Sequence, residues 1–293
     1  MSTSRRDFLR STAAFGLAAA VGTRAAFAQT TSSSSKLPIR KALNLAMIEV
    51  KGPMKEKLAL IKSVGFEGLE INAPGDFDRD EIIAAAKDAG ITIHGVVDSV
   101  HWKDCLSDPS AEVRARGIEG LRKAIDDAKA FGASTVLLVP GRVTKDISFD
   151  DVWSRSQAEI RKVIPDAEKA GVKIAIEVVW NDFLTKPEQM VKYIDELNSP
   201  SVGAYFDIGN VVKWSPPAQW IDALGPRILK LHVKGYSHKK KWVKIGEGDE
   251  NWPDVRAALA RIGYKGWATA EVPGGGEAEL RDISKRMDEV LGL

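Results

Sequence analysis

Residues 171–207 read GVKIAIEVVWNDFLTKPEQMVKYIDELNSPSVGAYFD. An apolar run, Ile174-Ala175-Ile176, ends on Glu177, and a second, Ala204-Tyr205-Phe206, ends on Asp207. Between them, Pro187–Leu197 carries its apolar residues at helical spacing. Two strand-length runs joined by a helix form a unit with parallel strands, since an antiparallel pair needs no such crossover. Each strand of this unit delivers one carboxylate where the strand runs out.

The same rhythm extends in both directions. Further strand candidates are Leu43–Ile48, Gly68–Asn72, Thr92–Val97, Thr135–Val139, Ile228–Val233 and Ala268–Val272. With Lys173–Val179 and Val202–Phe206 they make eight. Helical periodicity marks Met54–Val64, Arg79–Ala89, Ala111–Phe131, Ser154–Ala170 and Asp254–Ile262. Gly65, Gly90, Gly132, Gly171 and Gly263 follow helices directly, where a left-handed residue ends the helix without the steric cost of a Cβ. Alternation of this kind, eight times over residues 41–293, predicts a (β/α)8 TIM barrel. No G-x-G-x-x-G follows the first strand, so a dinucleotide-binding open sheet is the weaker reading.

Composition agrees with one large α/β domain: 293 residues, 44% hydrophobic and 28% charged. The single cysteine, Cys105, excludes an intramolecular disulfide or a zinc finger. No apolar run approaches the ~20 residues of a membrane helix, so no stable membrane insertion is expected. The formal charge is +2, but residues 1–28 hold four arginines against one aspartate, leaving the remainder at −1. A nearly neutral body gives no electrostatic reason to expect nucleic acid as a partner.

The first 28 residues have a different character. Ser4-Arg5-Arg6-Asp7-Phe8-Leu9-Arg10 precedes an Ala/Gly-rich stretch that closes on Ala26-Phe27-Ala28. A basic start, a short apolar middle and an A-x-A end predict a cleavable signal peptide over 1–28. The paired arginines resemble a twin-arginine export signal, which implies the twin-arginine machinery as a partner and a periplasmic location. Residues 29–40 open on the polar QTTSSSSK and are expected to be a flexible linker.

In a parallel barrel the C-terminal strand ends converge on one mouth. Strands five to eight end Ile176-Glu177, Phe206-Asp207, Leu231-His232 and Ala270-Glu271, at separations of 30, 25 and 39 residues. Three carboxylates and an imidazole gathered at one depth are costly to bury unless a divalent cation neutralises them. Mostly oxygen donors with one nitrogen point first to one Mn²⁺ or Mg²⁺, with Co²⁺ or Zn²⁺ also compatible.

These segments resemble the sugar phosphate isomerase/epimerase family, the xylose-isomerase-like TIM barrels that include ketose 3-epimerases and hydroxypyruvate isomerases. The resemblance spans about residues 41–291. It is carried by Val136–Gly141, Ala175–Leu184, Val202–Asn210, Leu231–Lys234, Gly246–Pro253 and Gly263–Val272. It implies metal ligands at Glu177, Asp207, His232 and Glu271, with Glu177 and Glu271 as the acid/base pair. Two positions depart from the pattern: Asn210 stands where epimerases of the family often carry His, and Gly235 where Asp usually follows H-x-K. Both departures touch the substrate shell.

Further substrate contacts are expected from His101, Trp180, Lys234, Glu247, His94, Glu70 and Asn210. His94 also reads as a packed residue inside its strand. Trp102 would wall the pocket, Trp180 would cover the apolar face of a sugar, and Lys234 and His238 would meet an anionic substituent. Lys239-Lys240-Lys241 reads as a solvated loop, and Gly274-Gly275-Gly276 as a flexible one. The expected activity is isomerisation or epimerisation of a sugar or keto sugar, by proton removal beside a carbonyl through an enediolate. Export favours an unphosphorylated carbohydrate substrate. The rivals are a metal-dependent lyase or hydrolase of a 3-keto-glycoside and a non-catalytic periplasmic sugar-binding barrel; a homo-oligomer is compatible with either. A DNA-repair relative would need a larger His-rich cluster, and the chain has four histidines.

Overall fold

The computed structural model describes residues 36–293. The expected signal peptide and most of the expected linker lie outside the described residues. The strands, in chain order, are β1 (Ile39–Asn44), β2 (Gly68–Ala73), β3 (Thr92–Asp98), β4 (Thr135–Leu138), β5 (Lys173–Glu177), β6 (Val202–Asp207) and β7 (Ile228–Val233), then the short pair β8 (Gly235–Ser237) and β9 (Lys241–Val243), and last β10 (Gly266–Ala270). All but β8 and β9 form a closed parallel barrel, ordered β1-β2-β3-β4-β5-β6-β7-β10 and back to β1. β8 and β9 pair antiparallel as a hairpin outside it.

The helices are α1 (Met54–Ser63), α2 (Arg79–Ala89), α3 (Ala111–Phe131), α4 (Phe149–Ala170), α5 (Pro187–Leu197), α6 (Ile208–Val211), α7 (Pro217–Leu224), α8 (Trp252–Arg261) and α9 (Glu277–Leu291). Among the described residues no helix is long and apolar enough to cross a membrane. Strands run toward the mouth and helices return from it. Lys36 and Leu293 therefore lie at the face opposite the mouth, where Pro38 accepts a hydrogen bond from the Gly266 amide.

Strand alternation sorts the side chains. Ile174, Ile176, Ala204, Phe206 and Leu231 point outward into the continuous apolar layer shared with Leu121, Ile160, Val163 and Met190 of the helices. Ala175, Tyr205 and Leu137 point inward. The same two-residue period carries Glu177, Asp207 and His232 to the inside at the strand ends.

Three expectations are corrected. The first strand is Ile39–Asn44, not Leu43–Ile48: the Asn44 side chain accepts from the Ala46 amide and turns the chain into one 3-10 turn at Leu45–Met47. Ile39 and Arg40, assigned to the linker, are thus barrel residues. The fourth helix begins at Phe149 rather than Ser154, because Ser148 and Asp151 form a reciprocal capping box five residues upstream. The eighth barrel strand starts at Gly266 and stops at Ala270, two residues early at each end. Helices α7 and α9 and the hairpin were not anticipated. Gly90, Gly132 and Gly171 are left-handed helix caps, as expected.

Candidate active site

Glu177 and Asp207 close β5 and β6, His232 is the penultimate residue of β7, and Glu271 follows β10 directly. Register pairs Asp207 with His232, while Glu177 pairs with Tyr205 and His232 with Thr269, so Glu177 lies two residues below Asp207 and Glu271 two above His232, and their side chains converge. One donor atom from each lies within 4.8 Å of the others. His232 Nδ1 is 2.9 Å from Glu177 Oε1, 3.1 Å from Glu271 Oε2 and 4.0 Å from Asp207 Oδ2. Asp207 caps α6 by accepting from the Asn210 amide through Oδ1, which turns Oδ2 inward, buried and with no hydrogen bond. Donors on opposite sides of one ion stand about 4.2–4.4 Å apart. The spacing and the donor set therefore fit a divalent cation.

Lys234 joins this group, two residues beyond His232. Its ammonium is 2.7 Å from Asp207 Oδ2, outside hydrogen-bond geometry, and 2.5 Å from Glu271 Oε2. The expected contact to an anionic substituent is thus replaced by an ion pair inside the ligand set. Burial and the Glu271 charge push the Glu177 carboxyl above the usual carboxylate range. Partial burial acts to raise Glu271 too, but the positive His232 and Lys234 beside it win and hold it well below that range. For His232, burial opposes the charged form, yet Glu271 and Glu70 raise its basicity. The two glutamates are thus driven in opposite directions by their surroundings.

Beneath the ligands runs a chain of buried hydrogen bonds. His232 Nε2 meets Glu70 Oε2 at 3.1 Å, and the Tyr205 hydroxyl donates to Glu70 Oε1 at 2.6 Å. Tyr205 lies 3.0 Å from Thr269 Oγ1, which lies 3.1 Å from His94 Nε2. His94 Nδ1 is 2.9 Å from Lys230 Nζ, and its ring stacks on Trp267. Glu70 and His94, expected to touch substrate, are instead interior residues. Glu70 holds the outer nitrogen of a ligand histidine, an arrangement that fixes the tautomer and orients the ring.

Above the ligands opens a cavity of about 530 Å³, lined by Glu177, His232, Glu271, His101, Trp102, Asp98, Asn44 and Asn72 among others. None of the residues lining it is Lys or Arg. His101 is brought to the site as expected: it is buried, its Nδ1 accepts from the Val139 amide at 3.4 Å, and burial lowers its pKa to about 4. Asp98 was missed, although it ends β3 as Glu177 ends β5. Burial raises its carboxyl to about 7 against the opposing Val100 amide. Asn44 and Asn72, bonded to each other at 2.8 Å, were also missed.

The remaining expected contacts divide. Trp180 stands at the rim with its indole donating to the Asn210 carbonyl. Asn210 does not face the cavity: its amide donates to the Val178 carbonyl at 3.0 Å. Glu247 pairs with Arg286 of α9, outside the cavity lining. His238 is exposed on the hairpin. Gly274 lies so close to the Met47 carbonyl that a Cβ would sit 2.0 Å from it, and Gly275 bonds to Met47 and Glu49, so these two are packed backbone while Gly276 stands in open space. Gly235 begins the hairpin, where a Cβ would lie 2.4 Å from the Lys244 carbonyl oxygen. The departure from Asp at this position has a steric cause.

This combination of fold and site has known counterparts. The family model described as xylose isomerase-like TIM barrel matches residues 58–290, and the chain belongs to that family. An L-ribulose-5-phosphate 3-epimerase, UlaE, of Salmonella paratyphi C is 28% identical over 258 residues, covering 81% of this chain and 91% of that protein. Among solved structures, a D-tagatose 3-epimerase-like protein superposes with a TM-score of 0.76 at 20% identity, covering 87% of this chain and 97% of that one. The IOLI protein, solved with a zinc atom, gives 0.72 at 18% identity, with coverages of 87% and 98%.

Proposed function

We propose that this protein is a divalent-metal-dependent epimerase or isomerase of an unphosphorylated keto sugar. The observation that carries the proposal is the ligand group itself: four donors within 4.8 Å at the floor of a cavity, two of them glutamates on strands that do not adjoin. The 3-epimerase relative and the zinc of the IOLI protein support the same chemistry. The cavity lining offers no Lys or Arg to pair with a phosphate, which favours a neutral sugar over the phosphorylated substrate of that relative.

Glu177, Asp207, His232 and Glu271 would hold the ion. Bound there, Mn²⁺ or a similar divalent cation supplies Lewis-acid polarisation of a substrate carbonyl. Glu177 and Glu271 reach the sugar from different sides of the mouth. One removes the proton from the carbon beside the carbonyl. The other returns a proton, to the opposite face of that carbon in an epimerisation or to its neighbour in an isomerisation. Such transfer contributes ~10²–10⁴-fold, and the Lys234 ammonium beside Glu271 supplies positive charge near the developing negative charge. Arg5-Arg6 and Ala26-Phe27-Ala28 support delivery to the periplasm, where free sugars are met.

The test is deuterium incorporation from D2O into D-fructose, D-tagatose, D-psicose and L-ribulose, read by NMR. Glu177→Gln and Glu271→Gln should each lower exchange at least ~10²-fold. Undiminished exchange in either variant removes that residue from proton transfer, and no exchange into any ketose by the Mn²⁺-supplemented wild type rejects the activity.

A further inference from the structure

Among the described residues, three large hydrophobic side chains stand exposed: Trp102 at 47%, Trp180 at 36% and Trp242 at 50%. All three lie at the rim of the mouth. Single exposed apolar residues scattered over a surface need no explanation; three tryptophans around one opening do.

Trp102 flanks the cavity beside His101. The other two form a built shelf, Trp180 in the loop after β5 and Trp242 on the hairpin after β7. The indoles of Trp180 and Trp242 stack with centroids 4.7 Å apart and planes 24° from parallel. Tyr236, buried beneath, meets both edge-on at 4.8 and 5.3 Å. Trp180 is pinned through its indole N–H to Asn210, and the Tyr236 amide is held by the buried Glu250 carboxylate. Trp180 and Tyr236 are thereby anchored, and Trp242 is held against them by stacking.

It also touches the ligand group. Lys234 Nζ, which contacts Asp207 and Glu271, lies 5.4 Å from the centroid of the Trp242 ring. From Trp242 a second cleft of about 360 Å³ runs between β9 and α9, and it shares Val272 and Pro273 with the main cavity. One position that departs from the family pattern serves this shelf: Gly235 lets the hairpin that carries Trp242 close.

We propose that the Trp180–Tyr236–Trp242 shelf is a second carbohydrate subsite. It takes a pyranose ring glycosidically linked to the sugar held at the metal ligands, so a glycosyl ketose binds in preference to the lone ketose that the ligand group alone holds. The apolar C–H face of the second ring lies on the indoles, and its hydroxyls face Lys244, Asp282 and Arg286 along the adjoining cleft. The proposal rests on the keto-sugar reading above.

The test is calorimetric titration of the full chain, in Mn²⁺-containing buffer, with D-fructose, maltulose and lactulose. The last two are ketoses bearing a second ring at O4. At least one should bind ~5-fold or more tighter than fructose, the scale of one aromatic contact. Trp242→Ala should erase that difference and Trp242→Phe should keep most of it. Equal affinity for all three sugars overturns the shelf, as does a Trp242→Ala variant that weakens all three alike. Deuterium exchange into fructose is scored separately, so the shelf and the activity fail independently.

Discussion

Replacing Glu70 by Gln separates the two roles open to this residue. Its carboxylate takes one hydrogen bond from the Tyr205 hydroxyl at 2.6 Å and meets His232 Nε2 at 3.1 Å. An amide of the same shape has only one acceptor oxygen. If that oxygen keeps Tyr205, the NH2 faces Nε2 and drives the imidazole proton to Nδ1, the atom aimed at the carboxylates. If it keeps His232, the NH2 opposes the tyrosine hydroxyl, which must then rotate toward Thr269. Either way a buried hydrogen bond must reverse its direction. Changes to the outer partner of a ligand histidine typically cost 10–100-fold in metal affinity, about 1.4–2.7 kcal/mol. Mn²⁺ affinity measured by chelator competition, on variant and wild type in parallel, should fall by that factor, with the fold retained by circular dichroism. Unchanged Mn²⁺ affinity with a raised KM would refute the reasoning and return Glu70 to substrate contact.

Two further outcomes follow from the charges at the mouth. Lys234→Met removes the ammonium between Asp207 and Glu271, leaving buried carboxylates uncompensated. Denaturation in EDTA should show a loss of about 3–5 kcal/mol that Mn²⁺ largely restores, and an equal loss with and without Mn²⁺ would remove Lys234 from charge balance. Asp98→Asn tests a group whose folded pKa, about 7, lies above its ordinary value of 3.8. The folded wild type holds this proton through that window, so the stability it contributes is full below about 3.8 and is lost as pH rises through 7. The amide avoids that loss while keeping the acceptor for the Val100 amide. The variant should therefore gain on the wild type by up to roughly 4 kcal/mol between pH 4 and pH 8; a difference independent of pH would show that Asp98 ionises normally.

The barrel and its ligand group were legible because each rests on local pattern. An apolar run closing on an acid is visible in one dimension, and repetition at the spacing of a βα unit supplies the rest. Asp98 obeys the same rule and was passed over only because His101 and Trp102 follow it. The interior chain through Glu70, Tyr205, Thr269 and His94 was not legible. Its members come from four strands, and which side chains face each other inside a barrel depends on register, which no stretch of sequence states. β1 was displaced because the apolar letters run on through Leu45–Ile48 while the Asn44 side chain turns the backbone. The hairpin was hidden by its own composition. Lys239 to Lys241 reads as a solvated loop, His238 before it as an anion contact, and Gly235 as a missing aspartate rather than as the opening of a turn.

The described chain enters and leaves on the side of the barrel away from its opening. A tag, a resin or a neighbouring domain joined at either end would hold the molecule like a cup standing on its base. Immobilised this way, it should keep its access to sugar, so that binding can be followed on a sensor chip without the attachment blocking the ligand's approach.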